Sequence, residues 1–88
     1  MTDAPVIEFP QPDYPIKVIA DSHADLRQQV IEIIRRHDPE LEESTIEVVQ
    51  SSKGSYSSVR VAILATGEDQ LRALHEELIQ NPLVRMVL

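Results

Sequence analysis

The chain has 88 residues, no cysteine and a formal net charge of −7. This length allows one domain with a small core, for which oligomerisation is a common source of additional stability. The absence of cysteine excludes disulfides, thiolate metal sites and a cysteine nucleophile. The excess of acidic residues disfavours a general binder of nucleic-acid backbones, because such proteins need clustered Lys and Arg.

Residues 1–13 contain three prolines and show no sustained hydrophobic period. Proline fixes φ and removes an N–H donor, so we expect an extended arm that precedes a single domain at residues 14–88. The arm lacks the basic and apolar regions of a signal peptide, and no run of the chain approaches the ~20 apolar residues of a membrane span. We therefore expect a cytoplasmic protein that does not associate with a membrane.

The first half of the domain predicts a strand followed by a helix. β-branched residues alternate over Tyr14–Ala20, which is typical of a strand. Apolar residues then recur at helical spacing from Leu26 to His37, and Ser22-x-x-Asp25 has the spacing of a capping box. The run DPELEES at residues 38–44 has the composition of a solvated acidic connector, since a cation site would need a turn glycine and a defined set of oxygens.

The second half predicts a β-hairpin, a helix and a final strand. The hairpin covers residues 46–66, and its SSKGS turn places Gly54 where a positive φ is needed. A helix follows from Thr66-x-x-Asp69, which again has capping-box spacing, and LVRMVL at residues 83–88 is the last strand. The order is β-α-β-β-α-β. It predicts an α+β, ferredoxin-like sandwich, with a four-stranded antiparallel sheet in the order 4-1-3-2 and both helices on one face.

Strand alternation predicts which side chains occupy the face of the sheet without helices. Burying Arg85 without a partner would be costly, so we expect Leu83, Arg85 and Val87 to point outward on the last strand. The apolar residues on this face would then be Ile19, Val49, Ala62, Leu64, Leu83 and Val87. A contiguous patch of this kind usually marks an interface, and we expect a homodimer or a protein partner there. Cover by the N-terminal arm is the alternative.

The same face is predicted to carry three cations, Lys17, Arg60 and Arg85, with Lys53 in the nearby turn. In an acidic chain, clustered cations can attract a small anionic metabolite or an acidic partner. We nevertheless expect cross-strand pairing with Glu47 and Glu8, a common arrangement of surface charges, and the attraction of an external anion or acidic partner is the alternative. The turn around Lys53 also offers backbone amides to an anion, although a hairpin turn needs no further purpose.

The sequence contains no recognisable catalytic, metal or cofactor motif. Its histidines have no second ligand at metal-binding spacing, and neither a nucleophile elbow nor a P-loop occurs. RNA-recognition modules share the predicted element order, but they stack bases on aromatic residues of the central strands. Here those strands offer Ile19, Ala62 and Leu64. We therefore expect a non-enzymatic regulatory or adaptor module without cofactor or nucleic acid. The alternative is a small enzyme or enzyme subunit with an anion site near Lys17, Arg60 and Arg85.

Three stretches resemble the YbeD-like family of small bacterial proteins of unknown function. They are EFPQPDYPIKV at residues 8–18, SSKGSYSSV at residues 51–59 and VRMVL at residues 84–88. The resemblance implies a ferredoxin-like fold, which in this family is likened to regulatory ACT domains that bind small molecules at dimer interfaces. No activity is established for the family, so the resemblance implies no catalytic residue.

Overall fold

The computed structural model describes residues 8–88. Neither helix of that region is long and apolar enough to cross a membrane. The sheet is antiparallel with the order β2-β3-β1-β4, so the predicted βαββαβ topology and strand order are confirmed. The elements are β1 (Gln11–Asp21), α1 (Leu26–Arg35), β2 (Glu47–Gln50), β3 (Tyr56–Ala65), α2 (Glu68–Gln80) and β4 (Val84–Val87).

Alternate residues of the central strands supply one side of a single core. Ile16, Val18 and Ala20 of β1 are buried against the helices, because every second side chain of a strand points to the same face. The other members of this core are Val59, Val61 and Ile63 from β3, Leu26, Val30, Ile33 and Ile34 from α1, Leu74 and Leu78 from α2, Val84 from β4, and Leu41 from the loop after α1. The helices therefore cover one face of the sheet.

We call the other side of the sheet the open face. Its side chains are Pro15, Lys17, Ile19 and Asp21 from β1, Glu47 and Val49 from β2, Tyr56, Ser58, Arg60, Ala62 and Leu64 from β3, and Arg85, Met86 and Leu88 at the β4 edge. The strand register arranges them in rows that run across the sheet. Ile19, Val49, Ala62 and Leu64 thus lie on the face to which alternation assigned them.

The predicted orientation of the last strand is right for Arg85, which is exposed, and wrong for Leu83 and Val87. Leu83 and Val87 pack against the core, although we expected them on the open face. Met86 takes an outward position instead and is 51% exposed. The apolar patch of the open face is therefore completed by Met86 and not by Leu83 or Val87.

A β-bulge explains the reversal at Met86 and Val87. Ala20 of β1 pairs with Val84, and the next residue back, Ile19, pairs with Met86. Arg85 is therefore an extra residue in β4 between two paired positions. One extra residue breaks the two-residue period of side chains, so that Val84 and Val87 both point into the core.

The strand β1 is longer than its sequence pattern predicts. It begins at Gln11, inside the segment expected to be an arm, and pairs there with Ala65. The register shifts between Gln11 and Tyr14, and Asp13 adopts a φ of 55°. Asp tolerates this left-handed conformation better than most residues, which allows the strand to continue through the irregularity. Residues 8–10 precede β1, and residues 1–7 of the predicted arm lie outside the described residues.

The two capping boxes are not formed. Both helices begin without a hydrogen bond from the side chain of the N-cap residue. The Oγ of Ser22 lies 2.8 Å from the Oγ of Ser57, so Ser22 attaches the loop to β3 instead of capping α1. Before α2, the N–H of Thr66 donates to Oε1 of Gln70 at 2.8 Å. A contact to β3 therefore replaces the first predicted cap, and a local contact with α2 replaces the second.

The prediction of a solvated acidic connector is wrong at Asp38. This residue is 7% exposed, and its Oδ2 accepts the N–H of Leu64 at 3.1 Å. Nε2 of Gln70 donates to the carbonyl oxygen of Leu64, also at 3.1 Å. The β2–β3 pairing runs only to Glu47 and Arg60, so Asp38 and Gln70 satisfy the backbone of β3 beyond the end of β2.

Candidate functional site

Two cations stand next to each other at the centre of the open face. Lys17 of β1 is directly opposite Arg60 of β3. The N–H of Lys17 donates to the oxygen of Leu88 at 3.0 Å, and the N–H of Leu88 donates to the oxygen of Lys17 at 2.8 Å, so the main chain of Lys17 is turned toward β4. Lys17 and Arg60 are therefore a non-hydrogen-bonded pair, the kind in which Cα atoms are only ~4.5 Å apart and the side chains are closest.

Within residues 8–88, no carboxylate forms an ion pair with Lys17 or Arg60. Glu47 lies opposite Arg60 on β2 without reaching ion-pair distance, and Glu8 does not reach either cation. Like charges directly opposite each other destabilise a sheet. The Lys17–Arg60 pair therefore has an unfavourable energy that an anion from outside would reduce.

The pair lies in a depression of the open face with a volume of about 540 Å³. Pro15 and Ala62 form an apolar wall on one side, and Glu47 lies at the β2 edge. Small-molecule pockets in proteins have volumes of roughly 300–1,000 Å³. The depression is therefore large enough for a small ligand, and its charged groups are concentrated on one side.

Arg85 does not join this pair, which corrects the predicted cluster of three cations. Its Nε donates to Oδ1 of Asp21 at 3.0 Å, and its Nη2 donates to Oδ2 at 2.7 Å. These bonds hold the pKa of the Asp21 carboxyl below its ordinary value and raise the pKa of Arg85. Arg85 is thus neutralised within the chain by bidentate, charge-assisted hydrogen bonds.

Lys53 lies in the hairpin turn and does not line the depression. Gly54 has a φ of 75°, as predicted, and its N–H donates to the oxygen of Ser51 at 2.9 Å. The Oγ of Ser51 accepts the N–H of Tyr56 at 3.3 Å. Hydrogen bonds within the hairpin therefore account for Ser51 and Gly54 in this turn.

A row with three apolar residues and one serine crosses all four strands beside the cation pair. It consists of Val49, Ser58, Ile19 and Met86, each next to its neighbour in the strand register. Tyr56 stands at the far side of this row and is 52% exposed. The sequence prediction omits Tyr56 although it precedes Arg60 by an even number of residues on the same strand. The open face thus combines a charged centre with exposed apolar and aromatic side chains.

A second group of charges connects the two helices, on the side of the sheet opposite the open face. Nε2 of His37 lies 3.0 Å from Oε1 of Glu77, and Arg36 also bonds to Glu77. The hydrogen bond with His37 and the contact with Arg36 lower the pKa of the Glu77 carboxyl. In the described part of the chain, no group of three or more His, Asp or Glu side chains is placed to hold a metal ion. This charged group therefore connects α1 to α2.

Residues 4–88 match the family described as "Protein of unknown function (DUF493)". The chain belongs to this family. It is 50% identical over 93 residues to a UPF0250 protein of Pseudomonas paraeruginosa, and the match covers 100% of both chains. A UPF0250 protein of Azotobacter vinelandii is 47% identical over 92 residues, again with 100% of both chains covered. The predicted membership in a family of small bacterial proteins of unknown function is confirmed.

Two solved structures share the fold. The ACT domain from GTP pyrophosphokinase of Chlorobium tepidum has a TM-score of 0.61 at 17% identity and covers 84% of this chain and 91% of its own. The C-terminal domain of the MgtC protein from Mycobacterium tuberculosis has a TM-score of 0.63 at 18% identity and covers 94% of this chain and 89% of its own. These similarities confirm the ferredoxin-like, ACT-like fold, and at such low identity they establish the fold alone.

Proposed function

We propose that this chain is a non-enzymatic regulatory or adaptor module that binds an acidic protein partner on its open face. The observation that carries the proposal is the Lys17–Arg60 pair, two adjacent cations without an ion-pair partner among residues 8–88. They occur in a chain with a net charge of −7. The alternative of a small enzyme has less support, because Arg85 is bonded to Asp21 and is not available to the predicted anion site.

The charge of the open face favours a different protein over a second copy of this chain. At the centre of the open face, Lys17 and Arg60 are accompanied by one side-chain carboxylate, Glu47, because Asp21 is already bonded to Arg85. Two copies stacked face to face would bring two positive surfaces together, which opposes association. An acidic surface would instead meet complementary charge, and the attraction would also increase its rate of association.

The size of the open face favours a transient contact. Four strands spaced ~4.8 Å apart, each rising ~3.3 Å per residue over the length of β1 from Pro15 to Asp21, give a projected area of roughly 400 Å². Stable complexes bury about 800 Å² on each partner. A contact limited to this face would therefore be weak and salt-sensitive, which suits a regulatory or adaptor role.

The surroundings of the cation pair define the chemistry of the partner. Met and Tyr side chains are enriched at interfaces, and Met86 and Tyr56 are both more than half exposed here. Val49 and Ile19 extend the apolar surface next to Lys17 and Arg60. The matching partner surface would carry one or two carboxylates beside exposed apolar side chains.

Site-specific photo-crosslinking in the cells that produce the protein tests this proposal. A photoreactive amino acid replaces Met86 on the open face or, as a control, Ile79 on the outer side of α2, which is 45% exposed. We expect a discrete adduct with a different protein from position 86 and not from position 79. An adduct with the mass of two copies of the chain, or the same adducts from both positions, would contradict the proposal.

A further inference from the structure

We infer that the depression beside Lys17 and Arg60 is a site for a small anion, with one carboxylate or phosphate group on an apolar body. The depression has a volume of about 540 Å³ and opens to solvent on the face that the helices do not cover. Its two cations lack an ion-pair partner within the described part of the chain. A ligand with this chemistry would neutralise the cations and cover the apolar wall at the same time.

The geometry of the pair suits one anionic group shared by both cations. The guanidinium of Arg60 presents a planar fork that can bind two oxygens, whereas the ammonium of Lys17 acts as a compact point charge. Their strand register makes them a non-hydrogen-bonded pair with closely spaced side chains. A single carboxylate or phosphate between them would replace one repulsion with two attractions.

The remaining lining of the depression restricts the ligand. Glu47 stands beside Arg60 on β2, and its negative charge disfavours a polyanion such as a nucleic acid or a polyphosphate. Pro15 and Ala62 pair with each other in the row next to Lys17 and Arg60, on the side away from Ile19. The apolar body of the ligand would lie over these two residues, with its charged group toward the cations.

Such a site would also control partner binding, a consequence that rests on the proposed function. The acidic partner surface and the small anion require the same two side chains, Lys17 and Arg60. Occupancy by the anion would therefore weaken docking of the partner. The anion site itself does not depend on the partner and is measurable on the isolated chain.

The test is an NMR titration of the full ¹⁵N-labelled chain with three probes: sodium acetate, sodium benzoate and inorganic phosphate. Sodium chloride keeps the ionic strength constant, which removes general screening as a cause. We expect saturable shifts centred on the amides of Lys17, Arg60 and Ala62 in the millimolar range of at least one probe. Benzoate should bind more tightly than acetate, because its ring can cover Pro15 and Ala62. Comparison of phosphate with acetate and benzoate shows whether the site prefers a phosphate or a carboxylate group.

Matched variants make the titration specific. Arg60→Gln should weaken binding at least about tenfold, because a charge-assisted hydrogen bond is lost, whereas Lys53→Gln should leave the affinity unchanged. Shifts that do not saturate, equal affinity in Arg60→Gln, or equal affinity for acetate and benzoate would overturn the inference. A titration without binding would contradict the anion site but not the crosslinking result from position 86. Binding in the titration without a crosslinked adduct would contradict only the protein partner. The two proposals therefore fail separately.

Discussion

The two faces of the sheet are formed by alternate residues of the same strands, and they differ in how their side chains are satisfied. On the covered face, Val18 and Val59 pair across β1 and β3, and both are fully buried in the core. On the open face, the adjacent pair is Lys17 and Arg60, two like charges without an ion-pair partner among residues 8–88. Packing explains the first pair. The second pair is not explained by packing, and it is the feature on which the proposed binding surface rests.

The open face contains an internal contrast as well. Near one end, Arg85 is bonded to both carboxylate oxygens of Asp21. At the centre, Lys17 and Arg60 have no such partner within the described residues. Both groups are exposed cations on one surface, but only the central pair remains to attract an external anion. Position relative to a carboxylate, and not exposure alone, distinguishes a structural cation from one available for binding.

The largest difference between the faces should appear in side-chain truncations. Ile63 is 2% exposed in the core, and its neighbour Leu64 is 37% exposed on the open face. Ile63→Ala should lower the free energy of unfolding by about 2–5 kcal/mol, because it removes buried surface and leaves a cavity. Leu64→Ala should lower it by no more than about 1 kcal/mol. Urea denaturation measures both values, and equal losses would mean that the open face is also part of the core.

An acid titration of stability should sharpen the contrast between the two kinds of cation. Folding lowers the pKa of Asp21, mainly through its bonds to Arg85, and that of Glu77, mainly through His37. A lowered folded-state pKa contributes stability that is present above the ordinary values of 3.8 and 4.5. This stability is lost as the pH falls through the lowered values, so unfolding should become easier in acid.

The matched variants for this titration are Arg85→Gln and Lys17→Gln. Without Arg85, the pKa of Asp21 should return toward its ordinary value, and the loss of stability in acid should be smaller than in the original chain. Lys17→Gln should retain the original acid profile, because Lys17 has no ion-pair partner among residues 8–88. Thermal unfolding at a series of pH values provides the measurement. Identical acid profiles for the original chain and Arg85→Gln would contradict the assignment of Asp21.

The smallest predicted effect concerns the repulsion within the central pair. Lys17→Gln should raise the free energy of unfolding by about 0.2–0.5 kcal/mol at low salt, since it removes a like charge opposite Arg60. This corresponds to a rise of roughly 1–4 °C in Tm. Arg85→Gln, the same loss of one cation from this face, should instead lower Tm. A decrease in Tm for both variants would show that Lys17 is already satisfied by the fold.

The fold could be predicted because local patterns and packing agree along most of the chain. Alternation in β1 and β3, helical spacing in α1 and α2, and the positive φ at Gly54 all have local causes. The exceptions depend on pairing between distant segments. Both main-chain hydrogen bonds of Lys17 are made with Leu88, on the β4 side of β1. Pro15 lies two residues earlier, so its nitrogen points to the same side of β1, beyond the last residue that pairs there. A missing donor is tolerated there, and β1 continues through the proline.

The candidate site could be predicted only where strand alternation is unbroken. Lys17 and Arg60 meet because neither β1 nor β3 is irregular between them. The bulge at Arg85 has no local signal, and it moved Met86 to the open face. The bonds of Arg85 to Asp21 also depend on this bulge and on the β1–β4 register. Sequence spacing alone could not distinguish the neutralised cation from the two that remain.

The most direct test of the central claim is the effect of charge reversal on crosslinking from position 86. The double variant Lys17→Glu/Arg60→Glu reverses the central pair. The control Lys53→Glu/Arg72→Glu makes the same change in net charge at exposed positions on the hairpin turn and on α2. Circular dichroism would verify that both variants are folded. We predict that the adduct disappears in the first variant and persists in the control. An adduct of equal yield in both variants would contradict the claim that Lys17 and Arg60 form the binding surface.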